Sequence, residues 1–320
     1  MREAARAVLA ALALLSCGPA FAQDRPLVAV TAIVEHPALD AARDGIKAAL
    51  AEAGYVDGQN LTFVYESAQG NPATAAQIAR KLVGEAPAVI VPISTPSAQA
   101  VVGATRDIPV VFTAVTDPVG AKLVRDPMHP GGNVTGMSDL SPIGKHLDLV
   151  KEVVPKAQRL GVIYNPGEAN SVTLLELLKR EAPARGLTIV EAPAPKSADV
   201  LPAAQSLVGK ADAIYVPTDN TVVTALEAIV KVGEQNKLPV LAGDTDSVPR
   251  GAIAALGFNY GDVGRQTGRI VVRVLKGEQP GDIPVEGVEI TELFVNPGAA
   301  ASMGVTIPEA VIARARTVVK

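Results

Sequence analysis

The chain has 320 residues, a net charge of −4, 48% hydrophobic residues, only 3% aromatic ones and no tryptophan. An acidic balance with no basic stripe excludes nucleic acid as a partner. A single cysteine, Cys17, excludes an intramolecular disulfide and a thiolate zinc cage, so Ala, Val, Leu and Ile must build the core.

The first residues predict an export signal. Arg2 and Arg6 are basic, Ala7 to Leu15 is apolar but too short to span a bilayer, and Gly18-Pro19 breaks the helix. Ala20-Phe21-Ala22 then offers small residues for cleavage before Gln23. Residues 1–22 are read as the signal, giving a soluble periplasmic product. Leu14-Leu15-Ser16-Cys17-Gly18 is an alternative lipobox, which would acylate Cys17. No later segment is long and apolar enough for a transmembrane helix.

Strands and helices then alternate. Leu27 to Val34 reads as a strand, Ala38 to Ala53 as a helix ending at Gly54, Leu61 to Glu66 as a strand, and Ala73 to Leu82 as a helix. Further strands are predicted at Ala88–Ile93, Val110–Val115, Leu160–Tyr164, Leu187–Glu191, Ala213–Val216 and Val240–Ala242. Several are Val/Ile-rich without polar alternation, the pattern of strands covered on both faces. The spacing predicts an α/β fold of parallel sheets with right-handed crossovers. About three hundred residues after the signal suggest two lobes. The Pro/Gly-rich stretch from Asp126 to Gly132 interrupts the series, and a helix follows over Pro142–Val154. Tyr260–Lys276 reads as a long amphipathic helix returning to the first lobe. The division is therefore an N-terminal lobe of 23–140 with 259–290, and a C-terminal lobe of 141–258 with 291–320.

The predicted strands end alike, in Ser, Thr, Asn, Asp or Pro followed by a helix start. After the first comes Glu35-His36-Pro37-Ala38-Leu39-Asp40, then Ser94-Thr95-Pro96-Ser97-Ala98-Gln99 and Thr116-Asp117-Pro118-Val119-Gly120. In the second half come Asn165-Pro166-Gly167-Glu168-Ala169-Asn170-Ser171, Pro217-Thr218-Asp219-Asn220-Thr221 and Gly243-Asp244-Thr245-Asp246. Each tip alone is explained by helix capping. Together they would line the rims of one cleft, since open parallel sheets bind ligands beyond the carboxyl ends of their strands. Hydroxyls and helix amides suit a carboxylate, and Asp117, Asp219 or Asp244 suits an ammonium group, so the rim fits a zwitterion. No phosphate loop, zinc-protease or nucleophile-elbow motif is present. The histidines lack ligand spacing, so neither a metal nor a cofactor is expected. His129 and His146 read as surface or capping residues.

These segments, with Gly131-Gly132-Asn133-Val134-Thr135-Gly136 and Gly257-Phe258-Asn259-Tyr260, resemble the ABC transporter substrate-binding family that includes tryptophan- and other aromatic-amino-acid-binding proteins. The resemblance runs in order over nearly the whole chain after the signal. It implies a type I periplasmic-binding-protein fold, two doubly wound lobes around a ligand cleft, and delivery of a solute to a membrane permease without catalysis. The implied ligand contacts are His36, Thr95, Ser97, Thr116, Asp117, Asn170, Ser171, Asp219, Asn220 and Asp244. Thr95, Ser97 and Ser171 would take a carboxylate; Asp219 or Asp117 would take an ammonium group. An aromatic amino acid leads, with an aliphatic one or another small carboxylate as alternatives, and a monomer is the expected state. A sensory binding protein with the same pocket and an exported α/β enzyme are the competing readings.

Overall fold

The computed structural model describes residues 25–288 and 290–319. The predicted signal and Cys17 lie outside the described residues. The first sheet is built from β1 (Leu27–Ala32), β2 (Thr62–Ser67), β3 (Val89–Ile93), β4 (Val110–Val115) and β5 (Val134–Ser138). The chain then passes to β6 (Arg159–Tyr164), β7 (Thr188–Pro193), β8 (Ala213–Val216), β9 (Val240–Ala242) and β10 (Ala254–Gly257) of a second sheet. The short β11 (Glu286–Gly287) returns to the first sheet, and β12 (Glu292–Val295) and β13 (Thr317–Val318) complete the second. The orders are β2-β1-β3-β4-β5-β11 and β7-β6-β8-β9-β10-β12-β13, so the same winding occurs twice. All pairs are parallel except β10 with β12, which is antiparallel and departs from the purely parallel expectation. That reversal arises because β12 enters from a crossing segment after β11, with no helix before it to carry the chain back.

Helices cover both faces of each sheet: α1 (Pro37–Glu52), α2 (Pro72–Gly84) and α3 (Thr95–Ala104) first, then α4 (Ile143–Val153), α5 (Ala169–Glu181), α6 (Val200–Ser206), α7 (Asn220–Thr224) and α8 (Leu226–Asn236). After β10 come α9 (Tyr260–Leu275), α10 (Pro297–Ser302) and α11 (Glu309–Ala313). Local chemistry sets the starts. Proline occupies the first turn of α1, α2 and α3, where its missing N–H costs nothing, and Asn71 caps α2 by accepting from Ala73 and Thr74 amides.

Both faces of β1 are buried, which is why its sequence shows no polar alternation. Val28, Val30 and Ala32 pack with α1 and α9, while Ala29 and Ile33 pack with α2 and α3. The return of α9 to the first lobe depends on small residues. Gly264 and Gly268 of α9 lie on the backbone of α1, so close that a Cβ on Gly264 would sit 2.0 Å from the carbonyl oxygen of Ala42. In the second lobe His146 corrects the surface reading: it is buried on α4, its Nδ1 paired with the Tyr215 hydroxyl, because its side of α4 faces the sheet. His129 is exposed beside Asp126.

Candidate functional site

In sheets wound this way the ligand crevice opens where successive strands leave on opposite sides. Here that is between β1 and β3 in one lobe and between β6 and β8 in the other. Between the lobes lies a narrow cavity with walls from both halves of the chain. His36, Thr116, Asn170, Asp219, Asn220 and Asp244 line it, whereas Thr95, Ser97, Asp117 and Ser171 do not. Ala38, Leu39, Ala114 and Val223 supply an apolar wall.

The absent residues are placed nearby in distinct ways. Asp117 accepts from the Val119 and Gly120 amides and so caps its own loop. Ser171 donates to Asp219 at 2.6 Å. Thr95 and Ser97 sit in the first turn of α3, a helix that approaches α5 of the other lobe. Ser94, Thr95 and Ser97 are 3%, 1% and 1% exposed, and none of their hydroxyls has a hydrogen-bond partner. Three buried orphan hydroxyls in four residues are costly unless something else satisfies them.

Backbone strain marks the same place. Ser94 has φ 76° and ψ 160°, a region that only glycine occupies comfortably. Ala114 has φ 52° inside β4, where the register with β5 shifts between Phe112 and Val115. Such a bulge re-aims side chains, and it brings Ala114 and Thr116 to the cavity wall. Strain of this kind persists where surrounding structure imposes it, and it clusters at binding sites.

The polar wall is a set of networks. Thr116 and the Tyr260 hydroxyl both donate to Asp139, whose carboxyl is pushed up by burial. Sequence reasoning does not single out Asp139 or Tyr260, because each follows a strand without a clear strand pattern of its own, Asp139 after β5 and Tyr260 after β10. Asp219 is pushed up to about 7, first by burial and then by the charge of Glu168. Its two oxygens are already occupied by the Val222 amide, the Asn165 amide and Ser171. Asp244 likewise accepts from the amide and hydroxyl of Ser247. His36 keeps its Nδ1 enclosed without a partner; burial pushes the imidazole down to about 3, and the Arg250 guanidinium adds to the shift. Among the described residues no group of three or more His, Cys, Asp and Glu is arranged to hold a metal ion.

Residues 27–319 match the family described as ABC transporter substrate binding protein. The chain belongs to this family. Its members are solute-binding proteins and not enzymes; they act outside the cytoplasm, take a small molecule and work with an ABC permease. A tyrosine-binding protein of Clostridioides difficile is 44% identical over 84% of this chain and 78% of its own length. A Streptococcus pneumoniae ABC domain in complex with L-Trp is 35% identical, with TM-score 0.89, over 92% of this chain and 100% of that one. A substrate-binding protein with adhesive properties from Clostridium difficile, in a ligand-free, open structure, is 40% identical over 92% of this chain and 99% of that one. Its TM-score is only 0.69, lower than that of the less similar tryptophan complex.

Proposed function

We propose that this substrate-binding protein captures an aromatic amino acid in the periplasm and delivers it to its permease. The observation that carries the reading is a cavity between two lobes whose wall sets apolar side chains beside the unpartnered polar atoms of His36, Asn170 and Thr218. Ser94, Thr95 and Ser97, together with the first amides of α3, form a receptor for the ligand carboxylate: hydroxyl donors and a helix N-terminus both favour an anion. Leu39, Ala38, Ala114 and Val223 offer the ring a dry surface. The closer match to the tryptophan complex than to the open relative supports a closed arrangement of the lobes. Export by cleavage after Ala22, with lipid on Cys17 as the alternative, and a monomeric state complete the proposal.

A thermal-melt screen of L-tyrosine, L-tryptophan, L-phenylalanine and L-leucine tests it. A ligand at one hundred times its Kd adds about 2.7 kcal/mol to native-state stability. The aromatic members should raise Tm by several degrees and leucine by less. No shift with any of them would end the amino-acid reading.

The state of His36 adds a pH dependence. In an open, solvated cleft an imidazole titrates near 6.5, whereas enclosure pushes His36 down to about 3. The closed form thus excludes the charged ring. Its contribution to capture is complete above about pH 6.5 and declines as pH falls toward the closed-state value. Affinity for the bound amino acid should fall about tenfold between pH 7.5 and 5.5, one pKa unit beyond the midpoint at the lower end. His36→Gln should remove most of that loss in a calorimetric titration. The full slope surviving in the variant would exclude His36 as its source.

A further inference from the structure

β4 and β5 are parallel neighbours, yet no helix joins them. Their connection, 116–133, is an irregular strap, and it contains the Pro/Gly-rich stretch that ligand capture leaves unexplained. Ala121, Leu123 and Val124 turn inward and pack with β4, while Val119, Lys122, Arg125 and Met128 are exposed, one at every third position. Val119 and Met128 are 43% and 62% exposed, so large apolar groups stand at both ends of the row with the cations between them.

Arg106, which follows α3, completes a groove whose lining holds three cations, Arg106, Lys122 and Arg125, and no carboxylate. The sequence shows no basic stripe here because Arg106 and the strap meet only in the fold. Among the described residues none of the three forms an ion pair. The two carboxylates of the strap turn back on it: Asp117 accepts from the Val119 and Gly120 amides, and Asp126 accepts from the Met128 amide and pairs with the His129 ring.

The strap is also pinned. The Leu123 and Val124 amides donate to the Pro118 carbonyl, the Val285 amide to the Pro127 carbonyl, and the Gly131 amide to the Gly281 carbonyl. A Cβ on Gly281 would meet the backbone of Gly131 and Gly132 at 2.7 Å. Lys122 takes a left-handed φ of 62°, where glycine or asparagine fits more easily. The exposed row is therefore pre-organised, and little ordering entropy is lost when it meets a surface.

We propose that this strap rests on an anionic phospholipid surface: the three cations take lipid phosphates, and Val119 and Met128 enter the boundary between headgroups and acyl chains. Basic side chains beside apolar ones are the pattern of segments that lie on a membrane. Work with a membrane permease puts such a surface within reach of the protein. With a net charge of −4 the chain as a whole repels anionic lipid, so attraction has to come from a local cluster. The contact is independent of what fills the cleft.

Vesicle sedimentation tests it, with exported, processed protein carrying Cys17→Ser so that no acyl chain contributes. Vesicles of phosphatidylglycerol and phosphatidylcholine in equal parts are compared with phosphatidylcholine alone. Each cation near an anionic surface raises partition about fivefold, so three should give at least a roughly tenfold preference for the anionic vesicles despite repulsion by the rest of the chain. High salt should erase the preference. Arg106→Gln, Lys122→Asn and Arg125→Gln combined should abolish it, the asparagine being suited to the left-handed position. Lys156→Gln, Lys210→Gln and Arg269→Gln combined remove the same charge from exposed residues outside the groove and should retain it. Equal partition into the two kinds of vesicle would overturn the proposal, as would equal losses in the two triple variants. Tighter binding to polyglutamate than to the anionic vesicles would overturn it in favour of an acidic protein partner. A dimer formed without lipid and lost in the strap variant would overturn it in favour of a second copy of the chain.

Discussion

Ser97→Asp is expected to abolish ligand capture, weakening affinity by at least a hundredfold, while the empty protein still folds. The new carboxylate would sit in the first turn of α3, beside the orphan hydroxyls of Ser94 and Thr95. A negative group there interacts favourably with the helix N-terminus, by about 0.3–1 kcal/mol, and accepts from hydroxyls that otherwise have no partner, which offsets part of the cost of burying it. The same group repels an incoming carboxylate and occupies its donors. Two measurements therefore separate the effects: the Tm of the empty protein reports whether the buried carboxylate is accommodated, and the ligand-induced shift vanishes. An affinity within threefold of the parent would remove the start of α3 from the binding site. A collapsed Tm would show instead that the side chain cannot be accommodated, and Thr95→Asp would then carry the test.

The second large effect concerns the fold. Gly264→Val should cost at least about 3 kcal/mol, because overpacking alone costs about 1–3 and this contact is backbone against backbone. A Cβ at Gly264 would lie 2.0 Å from the Ala42 carbonyl oxygen, so α9 would have to lift off α1. At roughly 2–4 °C per kcal/mol for a chain of this size, Tm should drop by about 6–12 °C, or the protein should fail to accumulate. Gly103→Ala is the matched control. Gly103 lies on an exposed part of α3 with nothing within 4 Å of a Cβ, and removing its backbone freedom should stabilise by about 0.4–1 kcal/mol. A Gly264→Val protein melting with the parent would mean that the two helices do not depend on this approach.

The contrast between the two glycines shows what a sequence can convey. The apolar strands were legible because burial on both faces writes itself as uninterrupted Val and Ile; the bounds of β4, β8 and β9 are those expected. β5 and β10 were not legible. Val134-Thr-Gly-Met-Ser and Ala254-Ala-Leu-Gly are short, glycine-containing runs whose strand state is imposed by neighbouring strands and not by their own propensity. Missing β5 meant missing Asp139, which would otherwise have read as one more polar strand tip.

For the site, the strand-tip grammar led to loops of which several line one inter-lobe cavity, because strand order alone decides which tips meet. It did not reveal the division of labour within a loop. Asp219 reads in sequence as an available carboxylate, yet backbone amides and Ser171 take both its oxygens. Asn170, one polar residue among several, turns out to be the group with an acceptor to spare. Hydrogen-bond allocation of this kind depends on distances between segments about fifty residues apart, and no local pattern encodes it.

The twisted peptide at Ser94 has an evolutionary corollary. A glycine there would relax the chain at once, since only its missing side chain tolerates that pair of torsions. Retaining serine keeps a hydroxyl at the head of α3 at the expense of a sturdier fold. Any programme that improves this protein for heat resistance alone would be drawn to that substitution early, and would harvest a tougher scaffold with a poorer grip on its cargo.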